Sequence, residues 1–287
     1  HASYRRQRQM CIRDRGYSEP GSGSDLASLK TKAVDHGDHY IVNGQKTWTT
    51  LGQFANKIFC LVKTDTDCKP QNGISFLLID IDSPGIEVRP IITLDGEHEV
   101  NEVWLKDVKV PKENLLGEEN KGWTYAKYLL THERTGIAGV PNSKSAINHL
   151  KVIANKTYKN GKPLIQDPLF SSQIAELEID LKAMEIFNLR AISSAESGKA
   201  PVMESSLLKI KGSIIRQKTS DLLRKAIGPQ ALPYISEQFD EGWNQETIGP
   251  EYAGPLAKQY FIYRKISIYG GSNEIQKNIV AKSEFRM

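Results

Sequence analysis

Residues 17–25 read Tyr-Ser-Glu-Pro-Gly-Ser-Gly-Ser-Asp, and this stretch is the most informative part of the sequence. It places three serine hydroxyls and two glycines in one short loop. Glycine lets a backbone approach a ligand closely, and hydroxyls and backbone N–H groups can then donate hydrogen bonds to that ligand. Taken by itself, the stretch is equally typical of a plain Pro-Gly turn between two strands. The surrounding sequence has to decide between these two interpretations.

From residue 28 to about residue 110 the sequence has the pattern of short β-strands. Asn43-Gly44 is a strong hairpin signal, because both central residues of a type I′ turn need a positive φ. Many short strands separated by turns predict an antiparallel barrel or sandwich. The predicted strands are Leu29–Val34, Tyr40–Val42, Ile58–Lys63, Ile74–Ile81, Ile86–Arg89, Val100–Leu105 and Val108–Pro111.

After Gly122 the pattern changes to that of long amphipathic helices. The second helix begins at the N-cap Asp167, with proline in its first turn, and ends before Gly198. The sequence therefore predicts an α+β protein, with an antiparallel β-barrel or sandwich at residues 16–118 and an antiparallel four-helix bundle at residues 119–287. The other predicted helices are Trp123–Lys156 with a bend near Gly139-Val140-Pro141, Glu204–Ile227, Tyr252–Ile268 and a short helix after Gly271. The predicted apolar face of the second helix is Phe170, Ile174, Leu177, Leu181, Met184 and Leu189.

The composition is ordinary for a globular protein of one or two domains: 287 residues, 39% of them apolar and 25% charged. No stretch is long and apolar enough to predict a membrane span. Three cysteines, Cys11, Cys60 and Cys68, provide neither a disulfide framework nor a paired metal spacing, and we expect no metal site. This cysteine usage favours a reducing compartment, which we expect to be a bacterial cytoplasm, or a mitochondrial matrix if the source is eukaryotic.

The formal net charge of +4 comes entirely from residues 1–15, which contain five arginines and one acidic residue, Asp14. A basic arm for nucleic acid is one interpretation of such a tail. The segment lacks hydrophobic periodicity, however, and reads more like a translated cloning adapter fused at Arg15. We therefore predict a non-native tail, exclude it from the fold, and expect no nucleic-acid partner.

Two further motifs accompany the first one. Residues 43–50 read Asn-Gly-Gln-Lys-Thr-Trp-Thr-Thr, and residues 269–276 read Tyr-Gly-Gly-Ser-Asn-Glu-Ile-Gln. In this order, the three motifs resemble the acyl-CoA dehydrogenase family of flavoproteins, from Gly16 to the end of the chain. The resemblance implies that residues 16–118 are the middle β-domain and residues 119–287 the C-terminal helical domain. The family's N-terminal helical domain is missing, so a truncated fragment is expected.

The resemblance implies that FAD lies against the first two motifs, held by Tyr17, Ser18, Ser24, Trp48 and Thr50. A flavin takes hydrogen bonds at its pyrimidine oxygens and at N5, which backbone N–H groups and hydroxyls can donate. Trp48 would offer a flat apolar face to the ring, although a tryptophan in the barrel core is the alternative. Ser24 matches a family position that also contacts the acyl-CoA.

Near the C-terminus, Gly270-Gly271-Ser272 opens a helix, whose exposed N–H groups favour an anion or a polarised oxygen. A plain linker with Ser272 or Asn273 as the N-cap has the same sequence pattern. The resemblance implies that Ser272 and Glu274 contact FAD and that Gly271 contacts the substrate. It also places an adenine-side contact at Gly228, Pro229 and Gln230, usually reaching a neighbouring subunit, where Pro229 departs from the family's glycine.

The informative departure is Gly270, because many family members carry there the glutamate that removes the α-proton of the acyl-CoA. The isovaleryl and long-chain types place this base on the first bundle helix instead, in a Glu-Arg pair that Glu133-Arg134 matches. Helical spacing sets Glu133 into an otherwise apolar stripe, where burial raises the pKa of a carboxyl group, as suits a base. The alternative is that Glu133 pairs with a basic group on another helix. The other members of the stripe are Ala126, Leu130 and Ile137.

The resemblance thus implies the conversion of an acyl-CoA to a 2,3-enoyl-CoA, with Glu133 as the base and the Gly270 backbone N–H polarising the thioester oxygen. Electrons would pass to an electron-transfer flavoprotein, and the protein would be a homo- or hetero-dimer or tetramer. Two alternatives remain. One is a flavin oxidase or monooxygenase on the same scaffold. The other is a non-catalytic subunit of a heteromeric dehydrogenase, which retention of Glu133 disfavours and Pro229 weakly favours.

Overall fold

The computed structural model describes residues 13–196 and 202–285. Within these ranges, the side chains of residues 13, 14, 131–137, 195, 196, 202 and 285 lie outside the description. The chain divides between Leu129 and Leu130 into two compact units, here called the β-unit and the helical unit. This division falls inside the first long helix, and the domain boundary predicted at residues 118 and 119 stays a prediction. Each unit is described by itself.

A seven-stranded sheet forms the described part of the β-unit. Its strands are β1 (Arg13–Gly16), β2 (Lys32–Asp35), β3 (His39–Thr50), β4 (Lys57–Lys63), β5 (Ile74–Asp80), β6 (Ile86–Ile92) and β7 (His98–Pro111). The strand order is β1-β4-β2-β3-β7-β6, and β5 pairs with β4. Most pairs are antiparallel, as predicted, whereas β1 and β2 each run parallel to β4. The predicted α+β fold class is confirmed.

The core of the β-unit comes from side chains that alternate along the strands. β-branched and aromatic residues suit a pleated surface, and the residues of this core alternate along the first half of β3 and along β4. Cys60 on β4 lies at the centre of this core with no exposed surface, and burial raises the pKa of its thiol to about 11. The core residues of these two strands are Tyr40, Val42, Ile58, Cys60 and Val62.

The hairpin predicted at Asn43-Gly44 is wrong, because β3 runs straight through both residues. A Cβ atom on Gly44 would lie 2.6 Å from Thr31 Cα, so glycine is needed there for close packing rather than for a turn. The Asn43 side chain bonds Asp107, donating from Nδ2 to Oδ1 at 3.0 Å and accepting the Asp107 backbone N–H at 2.8 Å. Tertiary pairing with β7 therefore overrides the local turn signal.

Arg13–Arg15 were assigned to the non-native tail and excluded from the fold, and the structure corrects this exclusion. β1 pairs in parallel with β4, from Arg13 opposite Lys57 to Gly16 opposite Cys60. Strand pairing uses backbone groups, so it needs no hydrophobic alternation in the sequence. Residues 1–12 lie outside the described residues, and the foreign origin of the tail stays a prediction.

The described residues of the helical unit contain six α-helices, and the first of them begins at Gly122, before the division at Leu130. They are α1 (Gly122–Ile137), α2 (Val140–Lys156), α3 (Pro168–Glu196), α4 (Val202–Ile227), α5 (Ala253–Ile262) and α6 (Asn273–Phe285). The predicted bend is a break between α1 and α2, where Gly139 has a φ of 60°. The helix predicted to end at Ile268 instead ends at Ile262 and continues as 3₁₀ turns over Tyr263–Ser267.

Helix α4 is the centre of the helical unit, because it packs against α2, α3, α5 and α6. The predicted apolar face of α3 is buried with one exception: Leu189 is 61% exposed, and Ala191 takes the buried position on the next turn. Continuing the spacing of 3.6 residues from Met184 leads to Ala191, so Leu189 was assigned to the wrong face. Within the described ranges, none of the helices has the length and apolar character of a membrane span.

Candidate functional site

The loop that carries the first motif is a tight turn with an open outer surface. The backbones of Glu19 and Ser22 exchange two hydrogen bonds of 3.1 and 3.0 Å, and the Ser18 carbonyl accepts the Thr47 N–H at 2.9 Å. A Cβ atom on Gly21 or Gly23 would meet no described atom within 4 Å. Packing within the described chain therefore does not require these glycines, and a ligand has room to approach the backbone here.

Tyr17 turns away from this surface. Its ring is buried with centroids 6.1 Å from Phe59 and 5.9 Å from Phe76, in an aromatic cluster of the β-unit. Such tilted aromatic contacts stabilise the core. Of the residues predicted to hold a flavin, Tyr17 can therefore contribute its backbone but not its ring.

Trp48 lies on the surface of the β-unit, 59% exposed, so the alternative of a barrel-core tryptophan is wrong. The pairing of β3 with β7 shifts register between Lys46 and Thr49, which makes Trp48 part of a β-bulge. Its φ of 63° is a left-handed conformation that a bulky residue rarely adopts. Strained residues held in place by surrounding structure cluster at functional sites. Ser24 and Thr50 have exposed side chains, and Ser18 is half-buried. The Ser18 carbonyl accepts the N–H of Thr47, so the start of the first motif lies next to the residue before Trp48.

Leu51, three residues after Trp48, is also left-handed with a φ of 54°, and its side chain is 40% exposed. We expect Leu51→Asn to raise the free energy of unfolding by about 1 kcal/mol, because asparagine tolerates this conformation and little apolar burial is lost. The matched control is Leu94→Asn, at an exposed leucine outside the left-handed region. Urea unfolding of both variants tests this. Equal effects at the two positions would contradict the strain argument.

A buried ion pair, which the sequence analysis did not predict, joins the first two motifs. Lys46 has no exposed surface, and its Nζ donates to Glu19 Oε1 at 2.8 Å and to the Tyr17 carbonyl at 3.3 Å. The Glu19 carboxylate also accepts the backbone N–H groups of Lys30 at 2.6 Å and Thr31 at 3.0 Å. One sequence signal existed: Lys46 has the same strand parity as the inward-facing Tyr40 and Val42.

The ion pair sets the charge of Glu19. Burial by itself would raise the pKa of this carboxyl group, but the charge and hydrogen bond of Lys46 outweigh burial, aided by Thr31 and Lys30. The pKa of Glu19 therefore lies below its ordinary value, and the carboxylate is ionised at neutral pH. An ionised Glu19 holds the loop against β3 close to Trp48.

The third motif in the helical unit has a capped helix start. Gly270 and Gly271 have φ values of 66° and 83°, a conformation that favours glycine. Ser272 Oγ accepts the Ile275 N–H at 3.3 Å, which is the geometry of the N-cap alternative. Glu274 is exposed, and hydrogen bonds from its own backbone N–H and from Ser272 lower its pKa.

The other predicted contacts of the helical unit are scattered. Gly228 has a φ of 71° at the end of α4, and Gln230 is exposed in the following 3₁₀ turn. Glu133 falls within the backbone of α1, but its side chain lies outside the described residues. Of its predicted stripe, Ala126 is buried and Leu130 is half-buried. The site roles of all these residues remain predictions.

The open surface around Trp48 fits a flavin ring by the chemistry of its donors. Serine and threonine hydroxyls can donate to the pyrimidine oxygens, the exposed indole offers a flat apolar face, and the glycine loop leaves space for close contact. The left-handed backbone at Trp48 costs free energy, and the fold nevertheless keeps the indole exposed in this position.

Comparison with known families covers nearly the whole chain. A family model described as the acyl-CoA dehydrogenase middle domain matches residues 15–108, and one described as the acyl-CoA dehydrogenase C-terminal domain matches residues 120–285. The two matches correspond to the sheet and to the helices, respectively.

Individual relatives agree with these matches. The acyl-CoA dehydrogenase IpdE1 of Mycobacterium tuberculosis is 31% identical over 272 residues, which cover 93% of this chain and 64% of that protein. An acyl-CoA dehydrogenase structure from Geobacillus kaustophilus aligns with a TM-score of 0.80 and 30% identity, over 96% of this chain and 69% of its own. The ChsE4-ChsE5 complex from Mycobacterium tuberculosis aligns equally well, at 0.80 and 29% identity, over 96% of this chain and 68% of the other. The chain thus spans 64% of the length of its curated relative IpdE1.

Proposed function

The chain belongs to the acyl-CoA dehydrogenase family, and we propose that the protein catalyses the FAD-dependent α,β-dehydrogenation of an acyl-CoA thioester to a 2,3-enoyl-CoA. The observation that carries this proposal is the strained, exposed Trp48 beside an open glycine loop, at the two motifs that resemble the family's flavin contacts. The matches to both domain models support the same reading.

In this proposal the open surface of the β-unit binds the flavin ring. The hydroxyls of Ser18, Ser24 and Thr50 and the backbone of Tyr17 donate or accept hydrogen bonds, and Trp48 covers one face of the ring. FAD, when bound, supplies the acceptor for the hydride that leaves the β-carbon. Further FAD contacts, taken from the resemblance, are assigned to Gly228, Gln230, Ser272 and Glu274.

Glu133 is the proposed base for the α-proton. An isolated carboxylate on an apolar helix face has a raised pKa, which brings it closer to the working pH of a general base. The Gly270 backbone N–H is the proposed donor to the thioester oxygen, and it acidifies the α-carbon by stabilising the developing negative charge. Glycine at a φ of 66° supplies this N–H without a side chain of its own. Ser24 and Gly271 are the proposed acyl-CoA contacts.

Electrons would leave through an electron-transfer flavoprotein, and we propose at least a dimer. The proposed compartment is a bacterial cytoplasm, or a mitochondrial matrix if the source is eukaryotic. A second candidate function is a non-catalytic subunit of a heteromeric dehydrogenase. Two observations favour this candidate: a structural relative is a complex of two named proteins, and Pro229 replaces a glycine in the adenine-side motif.

An anaerobic titration of the full-length protein with straight, branched and ring-bearing acyl-CoAs tests the proposal. The expected result is bound FAD whose visible absorbance is bleached by at least one of these compounds. Coenzyme A without an acyl group serves as the control for simple ligand binding. Bound FAD that no acyl-CoA bleaches would favour the heteromer subunit, and a protein that binds no FAD would overturn the proposal.

A further inference from the structure

A closed ring of hydrogen bonds lies directly behind the Trp48 bulge. Asn101 on β7 has no exposed surface, and its Nδ2 donates to the Thr49 carbonyl at 3.0 Å and to Gln53 Oε1 at 2.7 Å. Its Oδ1 accepts from His98 Nε2 at 2.6 Å, and Gln53 Nε2 donates to the His98 carbonyl at 3.2 Å. The ring runs through the side chains of Gln53, Asn101 and His98 and closes at the backbone carbonyl of His98.

The position of the ring in the sheet explains why a side-chain amide is needed. Asn101 pairs with Thr49, the first residue of β3 to regain register after the bulge. A bulge interrupts the ladder, so backbone groups beside it need other partners. The Asn101 amide is such a partner, because it donates a hydrogen bond to the carbonyl of Thr49, the residue directly after the strained Trp48.

Gly52 leaves the space in which this amide lies. A Cβ atom at Gly52 would approach Asn101 Nδ2 to 3.3 Å and Thr49 Cγ2 to 3.2 Å. The turn after β3 therefore closes tightly over the amide. Gln53 in the same turn is one of the ring members, so the ring connects β7 to both ends of the segment between Thr49 and Gln53.

We propose that Asn101 is a positioning residue for flavin binding, which holds the β3 bulge so that Trp48 keeps its exposed, left-handed conformation. The inference rests on the proposed function, because it assumes that Trp48 contacts the flavin. Asn101 itself is buried and acts through Trp48. A purely structural asparagine would stabilise the sheet without any specific link to the indole.

The test compares Asn101→Leu with Val62→Ala, a core truncation on β4 chosen as the stability-matched control. Two quantities are measured on the full-length protein: FAD affinity, and amide hydrogen exchange of the peptide that contains residues 46–54 without FAD. We expect Asn101→Leu to accelerate this exchange and to weaken FAD binding about tenfold, because the indole no longer keeps its contact with the flavin ring. Val62→Ala should do neither.

Gln53→Ala removes the hydrogen bonds that Gln53 makes in the ring. It should also accelerate exchange and weaken FAD binding, with smaller effects than Asn101→Leu. It is the variant to measure if Asn101→Leu does not fold.

A double-variant cycle separates positioning from general stability. If Asn101 acts through Trp48, adding Asn101→Leu to Trp48→Gly should weaken FAD binding no further. Additive effects, or an FAD affinity that falls only as far as in Val62→Ala, would overturn the positioning role and leave the proposed function standing. A wild-type protein that binds no FAD would overturn the proposed function. The exchange measurement needs no FAD, so it still tests Asn101 in that case. Unchanged exchange of residues 46–54 in Asn101→Leu would overturn the role of Asn101 in holding the bulge.

Discussion

Replacing Lys46 by methionine should lower the free energy of unfolding of the β-unit by about 3–5 kcal/mol, the usual cost of removing one partner of a buried ion pair. Methionine fills much of the volume of the lysine side chain but cannot donate to Glu19 or to the Tyr17 carbonyl. The variant leaves a buried carboxylate that keeps only its hydrogen bonds from Lys30 and Thr31. Urea unfolding followed by circular dichroism measures the loss.

Two further variants test whether the stranded buried charge causes this loss of stability. Lys57→Met removes a cation that pairs with Asp80 at a half-exposed site, where less than about 1 kcal/mol is expected. Adding Glu19→Gln to Lys46→Met removes the stranded charge and should recover part of the stability. If Lys46→Met and Lys57→Met cost the same, the buried pair has no special role.

The Lys46–Glu19 ion pair should also make the free energy of unfolding fall as the pH is lowered. Because the folded-state pKa of Glu19 is lowered, its contribution is full above the ordinary pKa of a glutamate and is lost as the pH falls through the lowered value. The difference in stability between wild type and Lys46→Met should therefore shrink in acid.

Replacing Glu133 by glutamine should slow reduction of the bound flavin by an acyl-CoA about 10²–10⁴-fold, the usual contribution of a general base. Glutamine has nearly the same shape, so FAD affinity and the unfolding midpoint should stay at their wild-type values. Anaerobic stopped-flow absorbance gives the rate at saturating acyl-CoA.

Glu133→Asp is the matched variant, because it keeps a carboxylate on a shorter side chain and should fall between wild type and Glu133→Gln. A Glu133→Gln protein that reduces its flavin at the wild-type rate would place the base elsewhere. A variant that loses stability instead of rate would support the alternative in which Glu133 pairs with a basic group on another helix.

The fold class was predictable because both periodicities are clear in the sequence: alternation before residue 110 and helical spacing after residue 122. Local turn chemistry was less reliable. Asn43-Gly44 has the composition of a hairpin, yet the contact with Thr31 and the bonds to Asp107 keep it within a strand. Such long-range packing is invisible in a short window of sequence.

The candidate site was predictable as a set of motifs but not in its geometry. A bulge depends on the register of the partner strand, so the sequence around Trp48 could not reveal its left-handed backbone. Asn101 lies about 50 residues after Trp48 in the sequence and belongs to none of the three motifs. The Lys46–Glu19 pair was not predicted either, although the sequence contained a signal for it: a buried lysine on the inward-facing side of a strand needs an acidic partner.

Cys60 gives the β-unit a built-in chemical reporter. Alkylating reagents attack thiolates, and a fully buried thiol with a pKa of about 11 is unreactive while the sheet is intact. Modification of Cys60 therefore requires β4 to separate from its neighbours, whereas the half-buried Cys68 reports the reactivity of the reagent in the same sample. The labelling rate of Cys60, read by peptide mass, measures how often the sheet opens under native conditions. Substitutions at Lys46 or Asn101 can then be ranked by that rate without any denaturant.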